Sequence, residues 1–506
     1  MCGIAGILYK NMRPPKSILE AMINTLEHRG PDNLSTYYDN KLGLAHSRLS
    51  IIGLDSSSNQ PMHDSTNRYS IVFNGEIFNY IDIKEKLLKK GFRFNTSGDT
   101  EVLLNGFIHY GLEILKIVQG FYAFCIFDHI KQELVLARDI IGKKPLYLYK
   151  DKEKILFGSE IKAIKSVIYK DINIDYSSMA HFLWKGYYAN GDSAYSEIKS
   201  LLPGQVIKIN IQTFKIEELI GSNLNILSVS DSYEDRDIEK VKTALTKSVK
   251  SRMVSDVPVS YLLSGGVDST IISYLAASEL SKPLKTYYVG YVEDDYDFFE
   301  ELSVKISKSL HSNHKVLKMG APNIDLSLNL MMKVFDEPFG DFSAIPSYEL
   351  YNQISSNCKV VISGDGADEI FCGYKDAKYH LLKSYISKVA YQGKSDWLLS
   401  KIYSLVNSRS KSIRYAGFLF AIAFLDDKRY SLAAYRGGWN LNHRKSFLTD
   451  EGFDLLGGSS VEKIEEESFY SSGNNFIERY LNYDLKRLTY DFLVKVDRTS
   501  MANSVE

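Results

Sequence analysis

Cysteine is scarce in this chain: four residues in 506, at Cys2, Cys125, Cys358 and Cys372. No two of them form a CxxC pair, so their spacing fits neither a zinc site nor a disulfide framework. Free thiols in a long chain point to a reducing compartment, and the cytoplasm is the expected location. Long apolar runs are also missing. No stretch of about 18 apolar residues occurs, so no membrane span is expected. The N-terminal segment has no basic region leading into a long apolar one, so it does not read as a signal peptide. Net charge is nearly absent, at −1, which gives no bulk electrostatic footprint for nucleic acid. His28, His46 and His63 are not at metal-ligand spacing with acidic partners, which leaves a metal-dependent hydrolase with little support. What is present is an ordinary globular composition, 44% apolar and 24% charged. The length allows more than one core, and about two to four domains are expected.

Two patterns divide the chain. Residues 1 to 220 read as strand-rich. SIVFNGEIFNY carries strand-type residues around an expected turn at Asn74 and Gly75. GFYAFCIFD (120–128) is a short apolar run that fits a strand buried on both faces. IDIKEKLLKKGF reads as a helix with lysines in its last turn and a glycine stop, and TEVLLNGFIHYG as another. Residues 221–236 are rich in Ser, Asn and Asp and read as a linker. A helix follows, with Val241, Ala244, Leu245, Val249 and Met253 on or near one face. Beyond it, strands and helices alternate: VPVSYLL, IISYLAASEL, LKTYYVG, FFEELSVKISKSL, KVVIS. That alternation predicts a parallel sheet flanked by helices. From about residue 376 the pattern is mostly helical. The Tyr- and Lys-rich stretch 378–467 matches no motif and reads as helical packing.

Chemistry is suggested at two places. The chain opens MCGIAGILYK. Removal of Met1 would leave Cys2 with a thiol and a free α-amine on one residue, a nucleophile and a base together. A buried strand residue is the competing reading. Farther on, SGGVDS (264–269) sits at a strand-to-helix junction. A glycine pair there lets backbone N–H groups approach a phosphate, and the helix start favours negative charge. It is neither a Walker A loop nor a GxGxxG fingerprint. Asp268 could hold Mg²⁺ against a triphosphate; the alternative is a capped glycine turn. GDGADEIF (364–371) ends a later strand in the same way. Two such loops at the carboxyl ends of strands lie where α/β sheets bind ligands.

Together these motifs resemble the glutamine-hydrolysing asparagine synthetase family, a class II glutamine amidotransferase domain joined to an ATP-pyrophosphatase domain. The resemblance is carried by MCGIAGI, HRGPD (28–32), HSRLSIIG (46–53), FNGEIFNY (73–80), SGDTEV (97–102), ARDIIGKKPLYL (137–148), FGSEIKA (157–163), LPGQ (202–205), LLSGGVDST, DEPFGDFSAIPSYEL, SGDGADEIFCGY and VDRTSMANSVE. It implies an α/β protein: an N-terminal Ntn-hydrolase-like αββα sandwich over 2–220, then a doubly wound parallel-sheet domain over 237–506 with a helical C-terminal part. It implies that Cys2 attacks the side-chain amide of glutamine with its own α-amine as base. Asn74 and Gly75 then form the oxyanion hole, and Arg48, Leu49, Ser50, Ile51, Ile52, Glu76 and Asp99 complete the glutamine pocket. In the second domain Leu263, Ser264, Gly265, Gly266, Asp268, Ser269, Val289, Ser363 and Gly364 match positions that contact ATP. Asp365 matches a carboxylate used in forming an acyl-adenylate, and Asp268 and Asp368 match Mg²⁺ positions. Asp336 is a further metal or substrate candidate.

The implied reaction hydrolyses glutamine to ammonia, adenylates the side-chain carboxylate of aspartate with release of pyrophosphate, and amidates it. Two alternatives stand beside it. One is the same chemistry on another carboxylate, such as a polysaccharide uronic acid. The other is a synthetase-incomplete protein with glutaminase or nucleotide-binding activity only. The resemblance also implies a homodimer, and it leads one to expect further chain beyond Glu506, including a lysine that serves adenylate formation. Lys495 reads instead as a solvated helix lysine. Cys372 stands where the family has glycine and reads as a packing change.

Overall fold

The computed structural model describes residues 2–221, 234–292, 297–321, 323–374, 382, 401–402, 404–406, 408, 410–424, 446–456, 469, 471, 473 and 476–506. The first half is a four-layer sandwich. One antiparallel sheet holds β1 (Gly3–Tyr9), β2 (Asn33–Tyr38), β3 (Leu42–Arg48), β8 (Tyr147–Lys150), β9 (Lys154–Gly158) and β10 (Ile198–Ser200), in the order β10-β8-β9-β1-β3-β2. The other holds β4 (Met62–His63), β5 (Tyr69–Ile77), β6 (Gly120–Asp128), β7 (Glu133–Arg138), β11 (Val206–Asn210) and β12 (Ile216–Ile220), in the order β12-β11-β7-β6-β5-β4.

The side-chain period of two explains how the layers stack. Along β1, Ile4 and Leu8 face Val72, Cys125 and Phe127 of the opposite sheet. Ala5, Ile7 and Tyr9 face outward, where α1 (Lys16–Asn24) and α4 (Ile161–Lys165) cover them. α2 (Tyr80–Leu88) and α3 (Asp99–Tyr110) cover the outer face of the second sheet. Both faces of both sheets are thus buried, which is why GFYAFCIFD shows no polar alternation. α5 (Tyr176–Lys185) closes this half.

The second half opens with α6 (Asp235–Arg252), capped by Glu234. Of the five residues on or near one face of it, Val249 is buried and Val241 is exposed, so the helix contacts the core near its end. A parallel sheet follows in the order β15-β14-β13-β16: β13 (Val259–Leu262), β14 (Lys285–Tyr291), β15 (Asn313–Met319) and β16 (Val360–Ile362). α7 (Val267–Glu279) and α8 (Phe298–Ser309) make the crossovers. α9 (Ile324–Phe335) and α10 (Ala344–Ile354) precede β16, and α11 (Ala367–Phe371) follows it. The chain steps outward from β13 to β14 and β15, then returns to the other side of β13, which makes β13–β16 the switch point of the sheet. A final helix, Leu493–Met501, packs on α10 and α9. The linker expectation at 221–236 and the helical expectation at 378–467 fall mostly outside the described residues.

The two halves share core. Leu49 and Ile51 of the first pack with Val360 and Met501 of the second. Among the described residues, no helix is long and apolar enough to cross a membrane.

Candidate active sites

Cys2 lies at the start of an interior strand, paired with β3 on one side and β9 on the other. Its backbone N donates to Asn74 Oδ1 at 3.1 Å. Asn74 is wholly buried, and its Nδ2 has no hydrogen-bond partner among the described residues. A buried amide donor without an acceptor is costly unless a ligand supplies one, so it marks where an oxygen atom belongs. The expected turn at Asn74 and Gly75 does not exist: β5 runs straight through both, paired with Ala123 and Tyr122 of β6. Gly75 is needed for another reason. Its φ is +157°, and a Cβ there would meet the carbonyl oxygen of Phe121 at 2.1 Å.

Cys2, Arg48, Leu49, Ile51, Ile52, Gly75, Glu76 and Asp99 line one pocket, together with Gln60, Thr100 and Glu506. Ser50 lies just outside, its N–H donating to Asp32 at 2.7 Å. The Arg48 guanidinium is anchored from below, by Asp55 O at 2.8 Å, Asn59 Oδ1 at 2.7 Å and Gly53 O. Asp99 opens α3 and accepts from Ile77 N–H at 2.9 Å. Burial pushes Glu76 up to about 8, with Glu506 and Asp99 adding to the shift, and burial pushes Asp99 up to about 6. Two neighbouring carboxylates in one pocket suit a cationic group. Burial also raises the Cys2 thiol, against the pull of the Leu49 backbone and Arg48.

Glu506 enters this pocket from the second half. Its N–H donates to Lys359 O at 2.8 Å and its O accepts from Val361 N–H at 2.9 Å, which extends the edge of β16. Its carboxylate lies 2.9 Å from the buried Lys144 Nζ. Burial lowers Lys144 to about 8; burial opposes ionisation of Glu506, but Lys144 overrides it and holds that carboxylate at about 2. The pair is therefore charged at neutral pH.

The second candidate site is at the switch point. Leu263 is buried, and Ser264, Gly265 and Gly266 turn the chain from β13 into α7. Gly265 has φ +77°, and a Cβ would sit 2.8 Å from Phe299 O. Ser269 Oγ closes the turn, 3.0 Å from Ser264 Oγ, and accepts from Ser264 N–H at 3.2 Å. Gly364 packs against Asp268 so closely that a Cβ would be 3.1 Å from that of Asp268. Ser363 Oγ donates to Asp365 Oδ2 at 2.7 Å. Burial and the Asp268 charge both raise Asp368, so the two carboxylates lie near enough to feel one another. Val289 is half-buried on the neighbouring β14. The structure thus brings the SGGVDS and GDGAD loops together. Two carboxylates suit Mg²⁺, which takes its remaining ligands from phosphate and water; no cluster of three or more metal-ligating side chains occurs among the described residues.

Three expectations change. Asp336 does not join this site: it is buried between the halves, 3.4 Å from Lys162 Nζ and 3.5 Å from Arg498 Nη1. Lys495 is not solvated; it is 7% exposed and bridges Asp341 at 2.8 Å and Ser343 at 2.7 Å. Cys372 stands in the left-handed region, φ +55°, which explains why glycine suits that position. Sequence reading also passed over Arg29, Lys144, Glu160 and Glu506 as individuals. Each lies inside a motif already noted, but a linear pattern does not show that a charge is buried.

Residues 1–219 match the family described as glutamine amidotransferase domain, and residues 240–506 match the family described as asparagine synthase. Glutamine-hydrolyzing asparagine synthetase 1 of Bacillus subtilis is 33% identical over 385 residues, which cover 74% of this chain and 59% of that protein. A Methanocaldococcus jannaschii protein provisionally named glutamine-hydrolyzing asparagine synthetase 2 is 33% identical, over 74% of this chain and 76% of its own length. A Mycobacterium tuberculosis protein, provisionally named glutamine-hydrolyzing asparagine synthetase, is 27% identical over the whole chain and 79% of its own length.

Proposed function

Because the chain belongs to the asparagine synthase family and carries a glutamine amidotransferase domain, we propose that it is a glutamine-dependent amidotransferase that forms asparagine from aspartate with ATP. The observation that carries this reading is the Cys2–Asn74 pair: a thiol-bearing residue that becomes N-terminal once Met1 is removed, beside a buried amide donor with no partner among the described residues. In this reading the domains are 2–220 and 237–506, and the setting is cytoplasmic.

The Cys2 thiolate attacks the side-chain carbonyl of glutamine, and its α-amine takes and returns the proton. Asn74 Nδ2 and the Gly75 N–H stabilise the oxyanion. Collapse releases ammonia and leaves a thioester, which water hydrolyses to glutamate. Arg48 holds the α-carboxylate while Glu76 and Asp99 hold the α-ammonium. In the second domain the Ser264–Ser269 turn receives the pyrophosphate portion of ATP, and Asp268 and Asp368 are the residues that would hold Mg²⁺, which supplies positive charge to the triphosphate. A carboxylate oxygen of the acceptor attacks the α-phosphorus and expels pyrophosphate, with Asp365 beside the reacting groups. Ammonia then displaces AMP to give the amide. The same geometry admits another carboxylate as acceptor.

Two measurements test this together. Pyrophosphate release from Mg-ATP and ammonium should depend on aspartate, and the Cys2→Ala variant should lose glutamate release from glutamine while keeping ammonium-driven pyrophosphate release. Release that ignores aspartate but responds to a uronic acid would reassign the acceptor. Glutamate release surviving in Cys2→Ala would remove the nucleophile.

A further inference from the structure

Where the two halves meet, the buried Arg29 and Arg498 and the half-buried Lys162 cluster with the carboxylates of Glu160, Asp336 and Asp497. Arg29 Nη1 lies 2.8 Å from Glu160 and 2.9 Å from Asp497. Lys162 lies 2.9 Å from Glu160 and 3.4 Å from Asp336, and Arg498 2.9 Å and 3.5 Å from the same pair. The formal charges cancel. Such a cluster is a poor source of stability, because desolvating six charges offsets what their attraction returns, and apolar replacements are often as stable. Its geometry is more informative than its energy.

Arg29 makes a further contact. Its Nε donates to the backbone carbonyl of Cys2 at 3.1 Å. The same planar guanidinium donates through Nη1 and Nη2 to both carboxylate oxygens of Asp497, at 2.9 and 3.1 Å. The side chain is fully buried. One rigid fork therefore holds the peptide of Cys2 on one edge and the final helix of the other half on the other. That helix is pinned two residues earlier, where Lys495 bridges Asp341 and Ser343. The loop that supplies Asp341 begins at Asp336, itself in the charge cluster. The final helix also reaches the pocket wall, where Met501 packs with Leu49 and Ile51, but of these contacts the Arg29 fork is the one that reaches the Cys2 peptide.

We propose that Arg29 is a positioning residue that sets the Cys2 peptide in register with the final helix, so that glutamine hydrolysis depends on how the second half is seated. This rests on Cys2 being the nucleophile. An error of about 1 Å in placing a reacting group costs on the order of 100-fold in rate, whereas the pocket that binds glutamine is built from other residues.

The test uses the full chain and measures glutamate release. Asp497→Asn removes the charge from a residue of the second half while keeping its shape. Its kcat should fall by about tenfold or more with KM within about twofold, the signature of a lost transition-state geometry. Arg29→Lys keeps the positive charge between Glu160 and Asp497 but lacks the planar fork. It should show the same kcat loss at an unchanged melting temperature, and this second variant decides the matter if Asp497→Asn fails to fold. Wild-type kcat in either folded variant overturns the inference, and so does a loss confined to KM. Cys2→Ala runs alongside. Glutamate release that survives it removes the nucleophile and this inference together; release lost there but intact in Arg29→Lys removes this inference alone.

Discussion

Glu76 and Asp99 must be ionised to hold an ammonium, yet burial raises both, to about 8 and about 6. Raising the pH through that interval ionises them in turn. KM for glutamine should therefore fall as pH rises from about 6 to about 8, and Glu76→Gln should raise KM and flatten the upper part of the curve. A wild-type KM that stays level across this range, measured by glutamate release, would show that these carboxylates do not hold the ammonium. The effect on folding has the opposite sense. Between the ordinary value of 4.5 for Glu76 and its folded value of about 8, the folded state holds a proton that the unfolded state has released. Stability contributed at this residue is thus lost as pH rises through that window. Much of this pocket was legible through the family resemblance, whose motifs FNGEIF and SGDTEV carry its polar groups in short runs. Arg29 and Glu506 were not, since their partners lie hundreds of residues away in sequence and no local spacing signals them.

At the scale of elements, the strand–loop–helix junction at Gly265 makes a sharp demand. With φ at +77° and Phe299 O only 2.8 Å from where a Cβ would lie, Gly265→Ala has to shift the turn. A left-handed alanine costs about 1–2 kcal/mol before any clash is counted. Pyrophosphate release should drop by at least about tenfold in this variant, while glutamate release, which arises at the other site, stays near wild type. Equal activity in both assays would mean that the SGG turn does not hold the nucleotide. Three strands of the parallel sheet were readable as short apolar runs alternating with helices, whereas β15, NHKVLKM, is polar and largely uncovered and carries no such signal. The run through Asn74 and Gly75 misled because Asn-Gly is a strong turn signal between alternating residues; here close approach of β6, not a reversal, requires the glycine. The apolar stripe of α6 is buried only near Val249, because periodicity marks a stripe but not how much of its length finds a partner.

At the scale of the whole molecule, the halves are joined by shared core at Leu49, Ile51, Val360 and Met501 and by buried ion pairs, so neither unfolds without exposing the other. Calorimetry of the full chain should show one merged transition, and two well-separated ones would mean that this interface contributes little. Buried pairs are weakly screened, so salt should move that transition only slightly. The position of Cys2 on an interior strand bears also on biogenesis. Ile4 N–H is bonded to Ser159 Oγ, 155 residues downstream, and Arg29 meets Asp497 after 468. At a translation rate of about 5–20 residues per second, the first of these partners emerges about eight to thirty seconds after Cys2, and the second later still. The strand that follows Cys2 is therefore anchored in stages, first within its own half and last by the final helix of the other.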